Sequence, residues 1–484
     1  MTTFNPNLEG LAPTKRAVNR TKVNESQAGN LGGAIKKCLL LLPLQTTGSL
    51  SDADKIEGLN LDDVNTQFGN VAYLMARAFY NENPAADCDA IAVAEAATGV
   101  ASVRSISFAT AAAADGTAHV WLGDYIVDFD ILKDDTATEI AAACIQAIND
   151  DAYAPFTAAV DGTHDYQVNL TYDFKGILGD MTPVEVVMPA GVATTATVGQ
   201  VTVGSNDPDV DAGYTDKYKM TDYDEIGAPW PNDNIAKVAD FMTNGEQGRG
   251  AMHFLSYVLS YADALQIFGS ANRKDFTVLF MLDTMGWATP PHHRLAIEMG
   301  VVSAETNPNV PFQKEARPNV LRLPSFARPT SYDTMIEHCL AHGLSIDDID
   351  GNTGDTRIER LISTKTKLTT GVVSDAYESV SIFFTEKALR RDMTDCLETV
   401  YDTRVKKRKT DGKLLEVKAV CVNRLILRAK PPYEWLSLNA LKNALGGIVI
   451  QWQTANPKRI ELSMPNPTTE ENLGTDVDLF RIRA

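Results

Sequence analysis

The stretch Phe276-Thr277-Val278-Leu279-Phe280-Met281-Leu282 is an almost unbroken run of apolar residues in the second half of the chain. A strand has this composition when helices cover both faces of its sheet, whereas a strand with one wet face alternates between apolar and polar residues. A shorter run, Cys38–Leu42, has the same character. Segments with helical spacing separate and follow these runs. The sequence therefore predicts an α/β core in which a mixed sheet is flanked by helices.

Two long helices are predicted, one between these two strands in the sequence and one after them. The first covers about residues 62–82 and ends before Pro84, because five large apolar residues recur there at steps of three or four. A second and longer helix is predicted for Tyr377–Val405. The segment Leu415–Val422 is predicted as a further strand.

After the first hundred residues the pattern changes, and short alternating strands dominate. Phe129 and Ile131 alternate there with Asp128 and Asp130, which is the period of a strand with one buried face. Turn-forming Asp-Gly pairs separate such strands. We therefore predict that a β-rich α+β domain is inserted into the core at residues 100–205.

One short helix lies within this predicted insert. Thr136 and Glu139 have the spacing of a capping box. Ile140, Cys144 and Ile148 follow on one helical stripe. We expect these three side chains to point inward.

The chain is strongly acidic. It has 484 residues with 44 Lys and Arg against 63 Asp and Glu, a formal net charge of −19. The stretch from Arg104 to Glu185 holds fourteen acidic and three basic residues, so the predicted insert carries most of the excess. Such a surface repels phosphate, so nucleic acid and anionic membranes are poor partners. No secretion signal or membrane span is visible, and we expect a chain that stays in the cytoplasm.

No pattern of reactive residues indicates an active site. The six cysteines include no CxxC pair, and His338 and His342 lack the glutamate of an HExxH metal site. Phosphate-binding and nucleophile-elbow motifs are absent from the sequence. His292 and His293 follow two prolines and are expected in a loop that leads into a helix. We predict no catalytic residue, no metal ligand and no cofactor.

Both ends of the chain have the composition of extended arms. The start is rich in Asn, Thr, Gly and Pro with almost no apolar periodicity, and a loose stretch, Pro465–Gly474, precedes a short terminal strand, Val477–Ile482. A strand on a tether commonly adds itself to the sheet edge of another chain. The predicted order is an N-terminal arm at 1–33, core segments at 34–99 and 206–464, the insert at 100–205, and a C-terminal linker and arm strand at 465–484.

Three parts of the sequence resemble the tail sheath proteins of contractile-tailed bacteriophages, most closely those of the Mu type. Phe68–Pro84 with Cys88–Ala94 is similar to the family's glycine-then-helix segment and the strand after it. The predicted insert is similar to the β-rich domain in the middle of those sheaths. Most specifically, His342–Asp347 and Gly354–Thr364 resemble the family pattern Gly-Ile-Ser followed by Gly-x-Val-x-Ile-x-Arg-x-Ile-Thr-Thr. The chain departs from that pattern at Ser363-Thr364-Lys365, where the family commonly has Thr-Thr-Tyr.

The resemblance implies a non-enzymatic subunit of a helical sleeve that surrounds a tail tube and contracts to drive the tube through the host envelope. It also implies identical copies, a tail tube protein, and baseplate and tail terminator proteins as partners, with assembly in the host cytoplasm and a final place in the virion tail. Strands of both arms would then bind neighbouring subunits, and the acidic insert would face outward. The arm residues in this interpretation are Val18, Val23, Val477, Leu479, Phe480 and Ile482.

Two further features gain a role in this interpretation. A basic cluster is expected to face the acidic tube or a neighbouring subunit, because clustered charge gives long-range attraction. This cluster consists of Arg404, Lys406, Lys407, Arg408 and Lys409. Cys88 and Cys396 have polar neighbours that suggest exposure to solvent or to another subunit. They are candidates for an interchain disulfide, since particles leave the reducing cytosol at lysis.

Two alternatives stay open on the sequence. The chain could be an α/β metal-dependent hydrolase that uses some of its many aspartates, which tight binding of divalent ions would reveal. It could also be another self-assembling baseplate or surface protein whose β-rich insert is a binding module. A segment 100–205 that folds alone and binds a ligand would favour that second alternative.

Overall fold

The computed structural model describes residues 36–210, 221–230, 250–263 except 261, 272–367 except 352, 371–373, 379–400, 411–430, most of 435–452, 459–465 and 476–483. Contacts divide the chain into two compact units. The larger unit contains residues 37–302 and 311–383. The smaller unit contains Lys36, residues 303–310 and the described residues from Phe384 onwards.

Nineteen strands and seven helices occur in the described part of the chain. The strands are β1 (Lys37–Leu44), β2 (Lys55–Ile56), β3 (Asp87–Ala94), β4 (Ala101–Phe108), β5 (Gly116–Leu122), β6 (Tyr125–Ile131), β7 (Phe156–Val160), β8 (Gln167–Lys175), β9 (Val184–Val187), β10 (Ala196–Thr202), β11 (Glu225–Gly227), β12 (Met252–Leu259), β13 (Phe276–Leu282), β14 (Gln313–Ala316), β15 (Leu344–Ile349), β16 (Thr356–Arg360), β17 (Val449–Trp452), β18 (Arg459–Pro465) and β19 (Asp476–Arg483). The helices are α1 (Leu61–Gln67), α2 (Asn70–Glu82), α3 (Ala137–Asp150), α4 (Pro291–Ala304), α5 (Tyr332–Ala341), α6 (Val380–Val400) and α7 (Asp411–Arg428).

A nine-stranded mixed sheet forms the centre of the larger unit. Its order is β14-β16-β15-β13-β12-β11-β1-β3-β2. The strands from β15 to β3 are parallel to their neighbours, whereas β2, β14 and β16 pair antiparallel at the two sides. The apolar run Phe276–Leu282 is β13 and is buried along its whole length. The predicted α/β core with a mixed sheet is therefore confirmed.

A glycine divides the helix that the sequence predicted over residues 62–82. The structure has two helices there, α1 and α2, and Gly69 between them has a φ of +111° and a ψ of 175°. Only glycine adopts this conformation without strain. A Cβ at Gly69 would also lie 1.8 Å from Oε1 of Gln45. The prediction of one continuous helix is wrong because the apolar stripe extends across the break.

Two smaller antiparallel sheets occupy residues 101–202, with orders β10-β4-β8-β7 and β6-β5-β9. The predicted capping box is present, since Thr136 accepts from the backbone N–H of Glu139, whose side chain accepts from the backbone N–H of Thr136. Ile140, Cys144 and Ile148 of α3 are buried, as predicted. Contacts place these sheets in the same compact unit as the nine-stranded sheet. A separate inserted domain therefore stays a prediction.

The smaller unit contains a helix where the sequence predicted a strand. Leu415–Val422 lies within α7. Val417, Cys421 and Leu425 are buried at steps of four, in one apolar cluster with Leu389 of α6. The strand prediction is wrong because these residues form a helical stripe that packs against a second helix.

The helix predicted for Tyr377–Val405 is confirmed within the described residues as α6, Val380–Val400. It carries charged side chains along its length. No helix in the described part of the chain combines the length and the apolar composition of a membrane span.

We predict that Gly69→Ala lowers the free energy of unfolding by about 2–3 kcal/mol, because the new Cβ meets Gln45 and the backbone is strained. Urea denaturation followed by circular dichroism measures this loss. Gly58→Ala is the matched control, since Gly58 also has a positive φ, +67°, but no atom lies within 4 Å of its added Cβ. It should cost about 1 kcal/mol. Equal losses in the two variants would contradict the clash with Gln45.

Candidate functional site

The stretch that carries the most specific sequence resemblance forms a pair of antiparallel strands, β15 and β16, at one side of the nine-stranded sheet. Gly343 precedes β15 with a φ of +76°, and its added Cβ would lie 2.7 Å from the Cα of Thr364. Gly354 precedes β16 and also has a φ of +76°. Both glycines therefore occupy backbone conformations that other residues adopt only with strain.

A cluster of four buried charged side chains joins β15 to helix α4. Arg294 donates through Nε and Nη2 to the two carboxylate oxygens of Asp347, at 2.6 and 2.7 Å, and through Nη1 to Glu298 at 2.8 Å. Arg317 donates to both carboxylate oxygens of Glu298, at 2.9 and 2.8 Å. No side chain of the four is more than 3% exposed. We call these four residues the buried ion cluster.

The two positive charges of the buried ion cluster are matched by two negative charges. Burial alone would raise the pKa of Glu298, but the guanidinium groups of Arg317 and Arg294 lower it to about 2. Burial would lower the pKa of both arginines, and their carboxylate partners raise it instead. Removing ions from water is costly unless each charge has a well-placed partner. The cluster therefore ties α4 to the sheet in one geometry.

Helix α4 also contacts the β-rich segment through two histidines. Nδ1 of His293 lies 2.8 Å from Oδ1 of Asp124, between β5 and β6, and Nε2 of His292 lies 3.2 Å from the hydroxyl of Tyr172 on β8. Both histidines are buried. The prediction of a loop is wrong, because the helix begins at Pro291 and its first turn does not need the N–H that proline lacks.

The pKa values of two buried histidines lie well below the usual value for histidine. Burial, together with the neighbouring His293, lowers the pKa of His292 well below its usual value. Burial, together with the charge of Arg273, lowers the pKa of His253 to about 3. The ring of His253 stacks on Phe276 with ring centres 5.2 Å apart. The fold therefore holds both imidazoles in the neutral form near pH 7.

No group of three His, Cys, Asp or Glu side chains is arranged to hold a metal ion among the residues that the structure describes. His338 and His342 are exposed at the end of α5. Nδ1 of His342 lies 2.8 Å from the carbonyl oxygen of His338. These two histidines therefore lie at the solvated end of the helix.

The C-terminal residues that were expected to bind a neighbouring subunit lie in β19. This strand pairs antiparallel with β18 of the same chain, in a register that places Ile460 opposite Ile482 and Leu462 opposite Phe480. It forms one edge of a three-stranded sheet of order β17-β18-β19. The intersubunit role of this strand stays a prediction. It concerns Val477, Leu479, Phe480 and Ile482.

The other predicted contact residues lie outside the described residues. They are Val18 and Val23 of the N-terminal arm and the basic cluster of Arg404, Lys406, Lys407, Arg408 and Lys409. Their expected contacts with a neighbouring subunit or with a tube stay predictions.

The two cysteines predicted for an interchain disulfide have different outcomes. Cys88 is fully buried in β3, opposite Cys38 of β1, and burial raises the pKa of its thiol. Its expected exposure to solvent or to another subunit is therefore wrong, because the thiol lies inside the sheet. The side chain of Cys396 lies outside the described residues, and an interchain disulfide through it stays a prediction.

No model of a known protein family matches the chain, and no curated protein matches it. Solved structures do match. The sheath tail protein of Desulfitobacterium hafniense is 13% identical and superposes with a TM-score of 0.51 over 93% of this chain and 97% of that protein. The chain has the fold of a tail sheath protein. This confirms, for the fold, the resemblance that the sequence indicated in short stretches.

Two further matches are similar in coverage. The sheath tail protein of Listeria innocua is 11% identical, with a TM-score of 0.49 over 93% of this chain and 96% of that protein. The helical sheath of the anti-feeding prophage in its contracted state is also 11% identical, with a TM-score of 0.44 over 96% of this chain and 98% of that chain.

We predict that Glu298→Gln lowers the free energy of unfolding by about 3–5 kcal/mol, because it leaves two buried guanidinium groups without sufficient negative charge. Urea denaturation of the full chain measures the loss. Glu315→Gln is the control, since Glu315 contacts the same Arg317 at 3.2 Å but is 37% exposed. It should cost less than about 1 kcal/mol. A small loss in Glu298→Gln would show that the buried ion cluster does not hold α4.

We also predict that the fold loses stability as the pH falls below 6.5, the usual value for a histidine. Because the folded chain lowers the pKa of His292, the unfolded chain binds a proton first and is favoured as the pH falls. The loss is about 1.4 kcal/mol per pH unit for each such histidine. Urea denaturation at a series of pH values measures it.

The substitution His292→Gln isolates this contribution, since glutamine can still bind the hydroxyl of Tyr172. Its stability should fall less steeply with pH than that of the unsubstituted chain, by about 1.4 kcal/mol per pH unit. His342→Gln changes an exposed imidazole and should leave the slope as it was. An unchanged slope in His292→Gln would contradict the prediction.

Proposed function

We propose that this chain is the structural subunit of a contractile tail sheath, a helical sleeve of identical copies that surrounds a tube and shortens to drive it through a cell envelope. The observation that carries the proposal is the sheath fold, which extends over 93% of this chain and 97% of the sheath tail protein of Desulfitobacterium hafniense. The order of sequence features supports it, since the sheath-like stretches lie along much of the chain rather than in one motif.

The partners and location proposed here follow from that role. In a sleeve, neighbouring copies bind through two different surfaces, which is a heterologous contact. When the rotation from one copy to the next does not close a ring, such contacts generate an open helix. A tail tube protein would lie inside the sleeve, and baseplate and tail terminator proteins would cap its ends. Assembly would take place in the host cytoplasm, and the finished sleeve would belong to the virion tail. The subunit performs no catalysis in this mechanism and needs no cofactor.

Exchange of terminal strands is the proposed link between copies. Strand β19 pairs with β18 of its own chain, and the same register is available to β19 of a second copy, as in domain swapping. A strand shared in this way keeps its backbone hydrogen bonds while whole units rotate as rigid bodies. The N-terminal arm with Val18 and Val23 would make a second link. Connectivity would then survive contraction.

Contraction itself requires two packings of the same subunits with different free energies. The extended sleeve would be the metastable packing, formed during assembly and held by a kinetic barrier. We place the basic cluster of Arg404, Lys406, Lys407, Arg408 and Lys409 against the tube or a neighbouring copy, because the rest of the chain is strongly acidic. The acidic stretch from Arg104 to Glu185 is proposed to lie on the outer surface.

We predict that purified full-length chain forms tubes or sleeves in negative-stain electron microscopy, and that deletion of residues 475–484 abolishes them without unfolding the larger unit.

Strand exchange requires β19 to leave β18. The double variant Ile460→Cys and Ile482→Cys places two thiols on directly paired residues, so oxidation should lock β19 onto its own chain. Oxidised protein should stay monomeric, and reduction should restore assembly.

Single substitutions Ile460→Cys and Ile482→Cys serve as controls, since neither can form that disulfide. Normal sleeves from the oxidised double variant would refute strand exchange through β19. Full-length chain that stays monomeric at high concentration would refute the sheath function itself. Circular dichroism of each variant shows whether the fold is kept.

A further inference from the structure

A cluster of tyrosines around one arginine lies where helix α2 meets the β-rich segment. The guanidinium carbon of Arg77 lies 5.9 Å from the ring centre of Tyr73 on α2 and 5.5 Å from that of Tyr125 on β6. Tyr73 packs in turn against Tyr153, with ring centres 4.7 Å apart. The hydroxyl of Tyr125 donates to the carboxylate of Asp151 at 2.8 Å, which orients the ring. We call Tyr73, Arg77, Tyr125 and Tyr153 the Arg77 cluster.

Within the part of the chain that the structure describes, Arg77 forms no hydrogen bond and no ion pair. A guanidinium group has five N–H donors and no acceptor. Because those of Arg77 have no partner in the described residues, they can bind an anion. The two aromatic rings attract the guanidinium group and restrict its movement. The side chain is half-buried. An acceptor that binds here therefore finds a group that has already lost much of its conformational freedom.

A cavity of about 100 Å³ opens beside Arg77. Apolar side chains of α2 and α4 form part of its wall, and the amide of Asn81 supplies a polar group. Asn319 also lines the cavity, and its amide donates to the carboxylate of Glu82 at 2.7 Å. Asp124 also lines the cavity, but it already contacts His293 at 2.8 Å. A space of this size admits the head group of a side chain and is too small for a nucleotide.

We propose that the Arg77 cluster binds the carboxylate of an aspartate or glutamate from a second copy of this chain. The planar fork of a guanidinium group matches a carboxylate through two parallel N–H···O hydrogen bonds. Arginine and tyrosine are also enriched among the residues that contribute most to protein interfaces. This inference rests on the proposed function, since it requires copies that pack side by side.

The charge of the chain favours a second copy as the source of the carboxylate. The net charge is −19, and fourteen acidic residues lie between Arg104 and Glu185. Asp128 and Asp130 of β6, for example, are exposed. Neighbouring copies would repel one another through such surfaces unless a cation faces them. A nucleic acid would require several clustered cations, which the Arg77 cluster does not provide.

We predict that Arg77→Ala raises the protein concentration needed for sleeve assembly by about tenfold, because a charged partner at the interface loses its counter-charge. Sedimentation of the full chain, with negative-stain microscopy of the pellet, measures that concentration. Arg77→Lys keeps the charge but loses the fork, and it should give an intermediate value. Lys133→Ala removes an exposed cation from the same unit and should assemble like the unsubstituted chain.

Salt provides a measurement that a purely structural role of Arg77 would not affect. The difference in assembly between the unsubstituted chain and Arg77→Ala should shrink as salt rises from about 0.05 M to about 1 M, because salt screens the ion pair. Near-UV circular dichroism and thermal unfolding show whether each variant is folded. Arg77→Lys, with the smaller change of shape, extends the test if the alanine variant is unstable.

Each outcome has a definite meaning. If the unsubstituted chain assembles and both Arg77 variants assemble equally well, the Arg77 proposal is overturned and the sheath function stands. If Lys133→Ala weakens assembly as much as Arg77→Ala, net charge alone explains the effect and the proposal is again overturned. If the unsubstituted chain does not assemble, the sheath function and this inference both fail.

Discussion

The buried ion cluster is the constraint on which the arrangement of the larger unit depends. Two arginines and two acids, none of them more than 3% exposed, fix helix α4 against β15. The first turn of the same helix holds His292 and His293 against the β-rich segment. Asp124, the partner of His293, is followed directly by Tyr125, whose ring centre lies 5.5 Å from the guanidinium carbon of Arg77. Because buried ions tolerate little misplacement, one polar cluster determines the geometry of several contacts around it.

This rigidity suits the proposed contractile role. A sleeve that changes its packing needs subunits that move as bodies, since a packed core deforms little and transmits strain. In this chain the nine-stranded sheet and the β-rich sheets belong to one compact unit, whereas β17, β18 and β19 belong to the other. The strand proposed for exchange is thus an edge strand of a small sheet, and it belongs to a different unit from the buried ion cluster.

The sequence predicted those features that depend on local pattern. The run Phe276–Leu282 and the capping box at Thr136 were confirmed because burial on both faces and helix capping each have a short-range signal. The break at Gly69 was missed, since the apolar stripe that predicted the helix extends across it. Leu415–Val422 was assigned wrongly, because its helical stripe becomes evident only against α6. The buried ion cluster was missed because Arg294 and Asp347 are 53 positions apart.

The Arg77 cluster shows why the proposed contact site gives little sequence signal. Its members come from α2, β6 and the loop after α3, so no spacing reveals them. Its chemistry is nevertheless distinctive, since an arginine without an acidic partner is unexpected in a chain with nineteen excess negative charges. An acidic surface makes separate copies of the chain repel one another. In the proposed contact, the guanidinium of Arg77 offsets that repulsion at one point, so that acidic copies approach in a defined orientation.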